Sequence, residues 1–97
     1  MTFDEFVLAY ANHYGSKGET WLQQMIVDRL QAGMTTIGSV CGEIHTLTDQ
    51  MVVAKSEDFA EYGFLWSFRS RLEYMIMDWD RYQATGEKYF KNNLQNG

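Results

Sequence analysis

The chain has 97 residues, 45% of them apolar and 15% aromatic, which is enough side chain to fill one core and too little length for two. Thirteen acidic residues against eight basic ones leave a formal charge of −5. The bases, from Lys17 to Lys91, are scattered with no run that could track a phosphate backbone, so direct nucleic-acid binding is not expected.

Proline is absent, so no helix is interrupted by a missing amide donor and glycine becomes the main punctuation. Thr2 with Glu5 has capping-box spacing, and Phe3, Phe6, Val7, Tyr10 and Tyr14 recur at helical period up to Gly15. Ser16 with Glu19 repeats that spacing ahead of Trp21, Leu22, Met25, Ile26 and Leu30, which predicts a second helix ending at Gly33. Thr35 or Thr36 can cap a third, carried by Ile37, Val40, Cys41, Ile44, Leu47 or Thr48, and Met51. A strand pair is its rival for residues 35–54, but alternation fails at Gly42–Glu43 whereas the helical period persists. Gly38 and Gly42 lie one turn apart, a small-residue spacing that predicts close packing of the third helix inside the domain.

Ser56 is the expected cap of a long fourth helix whose first turn would carry Glu57, Asp58 and Glu61 against the positive end of its dipole. That helix should continue through Tyr82 to Gly86, with a short terminal helix over residues 87–94 folding back through Tyr89, Phe90 and Leu94. The expected architecture is all-α: a compact bundle of four to five helices in a single domain, residues 1–97, with one long helix in the C-terminal half.

At about 100° per residue, Phe64, Leu65, Phe68, Leu72, Met75, Ile76, Trp79 and Tyr82 form the core face of the long helix. Phe59, Tyr62, Trp66, Tyr74 and Met77 gather on a second sector, among Glu73, Asp80 and Arg81. Either this helix is covered on both sides within its own domain, or the second sector meets another chain.

No familiar catalytic motif appears. Cys41 and His45 are one turn apart, but a metal site needs three or four ligands, and a nucleophile pair needs an orienting third group. Cys41 therefore reads as a small buried hydrophobe and His45 as a partly exposed helix residue. Phosphate loops, dinucleotide fingerprints, HExxH and GxSxG are missing. No metal, cofactor or catalytic residue is expected.

A lone cysteine cannot form an internal disulfide, and nothing near Met1 resembles a charged segment leading into an apolar one. The longest apolar runs fall short of the roughly 20 residues needed to cross a bilayer, so a cytoplasmic protein without a membrane partner is expected.

The function these features favour is a small acidic, non-enzymatic protein-binding module that regulates or inhibits a larger protein or complex. Its partner-binding residues would be Glu57, Asp58, Glu61, Tyr62, Trp66, Glu73, Tyr74, Met77 and Asp80. One concrete version is a phage or mobile-element inhibitor whose carboxylates occupy the basic groove of a host nucleic-acid-handling defence complex. The alternative is a homo-oligomeric structural or adaptor protein pairing through the Tyr62, Trp66, Tyr74 and Met77 stripe as a two-fold dimer. A Cys41–His45 metal protein or enzyme ranks third.

Overall fold

The computed structural model describes residues 1–86, which form four α-helices and no strand: α1 (Phe3–Ser16), α2 (Thr20–Gln31), α3 (Ile37–Glu57) and α4 (Phe59–Thr85). The expected terminal helix over 87–94 lies outside the described residues.

Local chemistry accounts for the boundaries. Thr2 is extended, its amide donates to Glu5 Oε1 (2.8 Å), and its hydroxyl donates to Asp4 Oδ1 (2.6 Å), so α1 begins at the expected capping box. These bonds hold the Asp4 and Glu5 carboxyls below their usual range. The next boundary differs from expectation. Ser16 ends α1, donating its hydroxyl to the His13 carbonyl (2.6 Å), and α2 is entered from Glu19. The tight turn between them needs a positive φ, which Gly18 supplies at +98°; Gly15 instead lies within α1, where the Gln23 side chain of α2 fills the space a Cβ would take.

Gly33 ends α2 as expected. With φ at +109° it lets Gly33 N–H donate to Leu30 O (3.1 Å) and Met34 N–H to Arg29 O (2.9 Å), the paired bonds of a Schellman motif, and Met34 is buried behind it. Thr36 then caps α3 reciprocally with Ser39: each backbone amide donates to the other's hydroxyl, at 2.9 and 3.1 Å.

Residues 35–54 are helical from the cap onward, and α3 continues to Glu57. Ser56 is therefore not the cap of α4; it sits in the last turn of α3 and donates to the Val53 carbonyl (3.1 Å). One extended residue, Asp58 (φ −150°, ψ 98°), separates the two long helices, and its carboxylate accepts from the Glu61 amide at 3.1 Å. With neither glycine nor proline between Gly42 and Gly63, nothing stops α3 earlier.

The helices pair as two antiparallel hairpins, α1 with α2 and α3 with α4, joined where α1 crosses α4. Phe3 and Phe6 both meet Trp79 edge-on at 5.3 Å, and Phe6 and Tyr82 lie 5.6 Å apart. The N-terminal ammonium donates to the Tyr82 hydroxyl (2.8 Å). Between α3 and α4, Arg69 Nε donates to Thr48 Oγ1 (2.7 Å) and sets their register. Arg29 of α2 lies over the Phe68 ring of α4 (5.2 Å) and pairs with Glu43 of α3 (3.3 Å).

The core runs from Phe6, Val7 and Tyr10 through Leu22 and Ile26 to Val40, Leu47, Phe68, Leu72 and Met75. Of the expected core face of α4, Leu65, Phe68, Leu72, Met75, Trp79 and Tyr82 are buried and Ile76 is half-buried. Phe64 is not: the first turn of α2 reaches it only through the tilted ring of Trp21 at 6.1 Å, and both rings stay exposed. Cys41 is also exposed, because the buried line of α3 is Val40, Leu47, Met51 and Ala54, and Cys41 lies a quarter-turn round from Val40. The predicted close packing at Gly38 and Gly42 does not occur either; no other helix approaches the Cβ position of either glycine.

Candidate functional site: tip and outer face of the long hairpin

The nine residues singled out from sequence separate into two groups. Glu57, Asp58 and Glu61 come together at the tip of the α3–α4 hairpin, because the one-residue turn puts the end of one helix beside the start of the next. They rim a groove of about 430 Å³ with Gln50, whose apolar lining is Val53, Ala54 and Leu65. Ala54 and Leu65 are its buried floor, while Val53 is more than half exposed. Asp58 is committed to capping α4. Glu57 sits in the last turn of α3, at the negative end of that helix, so the dipole opposes its charge there. Among the described residues no basic side chain forms an ion pair with any of the three.

The second group lies along α4, mostly opposite its core face; Tyr62 departs from this, packing against the core from the flank. Trp66, Tyr74 and Met77 are 53%, 56% and 47% exposed, and Phe59, which leads the same stripe, is 78% exposed. Among the described residues nothing covers their sector. Tyr62 is half-buried and stacks on Phe59 at 6.1 Å. Glu73 pairs with Arg69 (2.7 Å), which cancels charge in the middle of the stripe, and Asp80 is exposed at its far end.

The Arg69–Thr48 bond brings part of α3 onto the same face. One turn nearer the tip it places Val52, 71% exposed, level with Trp66, and Cys41 and Ile37 continue the line toward the start of α3. This half is hidden in the sequence, where the apolar pattern of the third helix ends at Met51 and Cys41 reads as a buried hydrophobe. The i, i+4 pair Thr48–Val52 was the available signal, visible only once α3 is drawn through to Glu57.

A third cleft, between α1 and α4, is lined by Tyr10, Tyr14, Arg71, Tyr74, Met77, Asp78 and Arg81. Arg71 donates both terminal nitrogens to Glu19 (2.6 and 2.7 Å) and lies over the Tyr14 ring at 4.7 Å. The pair holds Glu19 below the usual carboxylate range and raises Arg71 further. Burial pushes the Tyr10 hydroxyl well above the ordinary phenol range, so it stays neutral. Arg81 pairs with Asp78 at 3.2 Å. Both arginines are thus matched by carboxylates within the fold, and the cleft works as a joint between α1, α2 and α4.

Cys41 and His45 do not assemble a ligand set. His45 Nε2 faces Asp49 Oδ2 at 3.7 Å on the solvent side of α3, and no group of three or more His, Cys, Asp or Glu side chains among the described residues could hold a metal ion. Among the described residues no helix is long and apolar enough to cross a membrane. The tip offers carboxylates beside apolar surface, and the outer face offers exposed rings and a methionine. No protein-family model, curated protein or solved structure matches the chain.

Proposed function

We propose that this chain is a non-enzymatic protein-binding module whose acidic hairpin tip engages a basic surface of a larger protein. The observation that carries the reading is the tip groove, where an apolar floor of Ala54 and Leu65 is rimmed by Glu57, Asp58 and Glu61 with no basic partner of their own. Unpaired carboxylates beside apolar surface suit a segment bearing lysine or arginine on an aliphatic stem: the stem buries on the floor while the charge meets the rim. In the narrower version, a regulator or inhibitor, the tip occupies a groove on the partner that otherwise holds nucleic acid.

The test is capture from lysate of the native host by the immobilised protein, beside the double variant Glu57→Lys, Glu61→Lys. Asp58 is left in place because its carboxylate caps α4, so the variant should keep its circular dichroism spectrum. A specific partner that is lost from the folded variant, and whose association slows as salt rises, supports the reading. A partner held equally by both proteins at every salt concentration sinks it.

A further inference from the structure

We infer that the outer face of the α3–α4 hairpin is a self-interface, on which two copies of this chain pack their α4 helices antiparallel about a two-fold axis at Ser70. The inference concerns a different face from the tip and stands or falls separately from the reading of the tip.

The first ground is Gly63. It lies inside α4, between the exposed rings of Phe59 and Trp66, and nothing among the described residues comes within 4 Å of the position a Cβ would take. A glycine inside a solvated helix costs stability, and here no contact among the described residues offsets it. Its use is to let another surface approach.

The second is self-complementarity. A two-fold axis at Ser70 pairs residues equally distant from it, so Met77 faces Gly63 of the other copy, Trp66 lies beside Tyr74, and Ser70 meets Ser70. Small residues at Gly63 and Ser70 let the two helices approach closely, and the flanking rings and the methionine fill the space on either side. Phe59 falls opposite Arg81, a cation–π match, and like charges on this face do not meet because Glu73 falls opposite Ser67 and Asp80 opposite Ala60.

The third is size. Two antiparallel helices, the shorter of 21 residues, present a face roughly 30 Å long and about 20 Å wide. That is on the order of 600 Å² per copy, or about 1,200 Å² in all, the range where specific interfaces begin. Val52, Cys41 and Ile37 extend the apolar contact beyond α4. In this arrangement Asp58 lies about 18 Å from the axis, so the dimer carries its two acidic tips roughly 36 Å apart, suited to bivalent attachment.

Sedimentation equilibrium at micromolar concentration should find a dimer for the wild-type chain. Gly63→Gln adds a better helix former at a solvated monomer position, so its melting temperature should not fall when both proteins are measured dilute enough to be monomeric, while its dimer dissociation constant should rise by about tenfold or more. A loss of dimer in this variant therefore cannot come from unfolding. In a Cys41→Ser background, Ser70→Cys should form a symmetric disulfide on mild oxidation, whereas Thr46→Cys, beside the α2–α3 groove and off this face, should not. A wild-type monomer, a dimer indifferent to Gly63→Gln, or cross-linking through Thr46→Cys as fast as through Ser70→Cys would each overturn the proposal. A monomer whose tip still captures a partner overturns the self-interface alone.

Discussion

The two faces of α4 carry similar side chains to opposite ends. Toward α1, α2 and α3 it offers Leu65, Phe68, Leu72, Met75, Trp79 and Tyr82, all buried; away from them it offers Phe59, Trp66, Tyr74 and Met77, all about half exposed or more. Hydrophobicity does not separate the two sets. What separates them is that three helices, α1, α2 and α3, cover the first and none of the described elements covers the second. A helix of 27 residues is longer than its partners α1 and α2, and its angular sector opposite them has nothing to meet among the described residues.

The contrast predicts that substitutions on the two faces separate into effects on stability and effects on association. The largest effect should come from Phe68→Ala. Its ring is fully buried and carries Arg29 above it, so the variant leaves a cavity and unseats a cation, with an expected loss of about 3–5 kcal/mol in urea unfolding. Marginal domains of this size rarely have much more to lose, so partial unfolding at room temperature is the expected appearance. A loss below about 1 kcal/mol would mean that the inner face is not the core it is described as.

An intermediate effect belongs to the joint between α1, α2 and α4. Glu19→Gln removes a bidentate bond to Arg71 whose side chains are 34% and 21% exposed, so solvent screening limits the expected loss to roughly 1–2 kcal/mol. The pH dependence follows from the direction of the shift. Glu19 is depressed in the folded state, so the unfolded chain binds its proton more readily; the stabilisation is complete above the ordinary carboxylate range and disappears as pH falls through the folded value. Below about pH 4.5 the wild type should lose stability more steeply than Glu19→Gln, with Asp4 and Glu5 adding to the same acid limb in both. At the alkaline end the sign reverses. Tyr10 is raised, so stability should decline once the unfolded phenol ionises, from about pH 10 upward, and Tyr10→Phe should blunt that decline.

Much of this division was legible in the sequence. The all-helical class follows from the apolar period and the capping residues, and Thr2, Gly33 and Thr36 act at the boundaries where those signals put them. The second stripe of α4 is visible because Trp66, Tyr74 and Met77 cannot share a sector with Phe68 and Leu72 at about 100° per residue, whereas Tyr62, expected on that stripe, packs against the core, as Ile76 does.

Tertiary choices were not legible. Ser56 and Asp58 are both good caps, and local propensity does not say which one ends α3. Phe64 fits the core period of α4, but its burial depends on how far α2 reaches over it, a fact carried by the α1–α2 hairpin; Cys41 falls just outside the buried line of α3, which the packing of α4 and not the period alone sets. The tip groove was legible only as three acids close in sequence; that they rim apolar surface depends on the turn at Asp58.

The smallest expected effect completes the contrast. Trp66→Ala removes a larger side chain than Phe68→Ala does, yet the ring is about half in water already, and the mutation leaves no cavity. Unfolding measured at low protein concentration, where self-association does not contribute, should place the variant within about 0.5 kcal/mol of wild type. At high concentration the wild type should gain apparent stability by mass action and the variant should not, because only the wild type has a second copy to bind. The same aromatic deletion would then cost nothing or something according to concentration alone, which no inner-face residue can show. If Trp66→Ala instead destabilised the chain by several kcal/mol at every concentration, the outer face would be part of the monomer's own core, and the division between the two faces of α4 would fail.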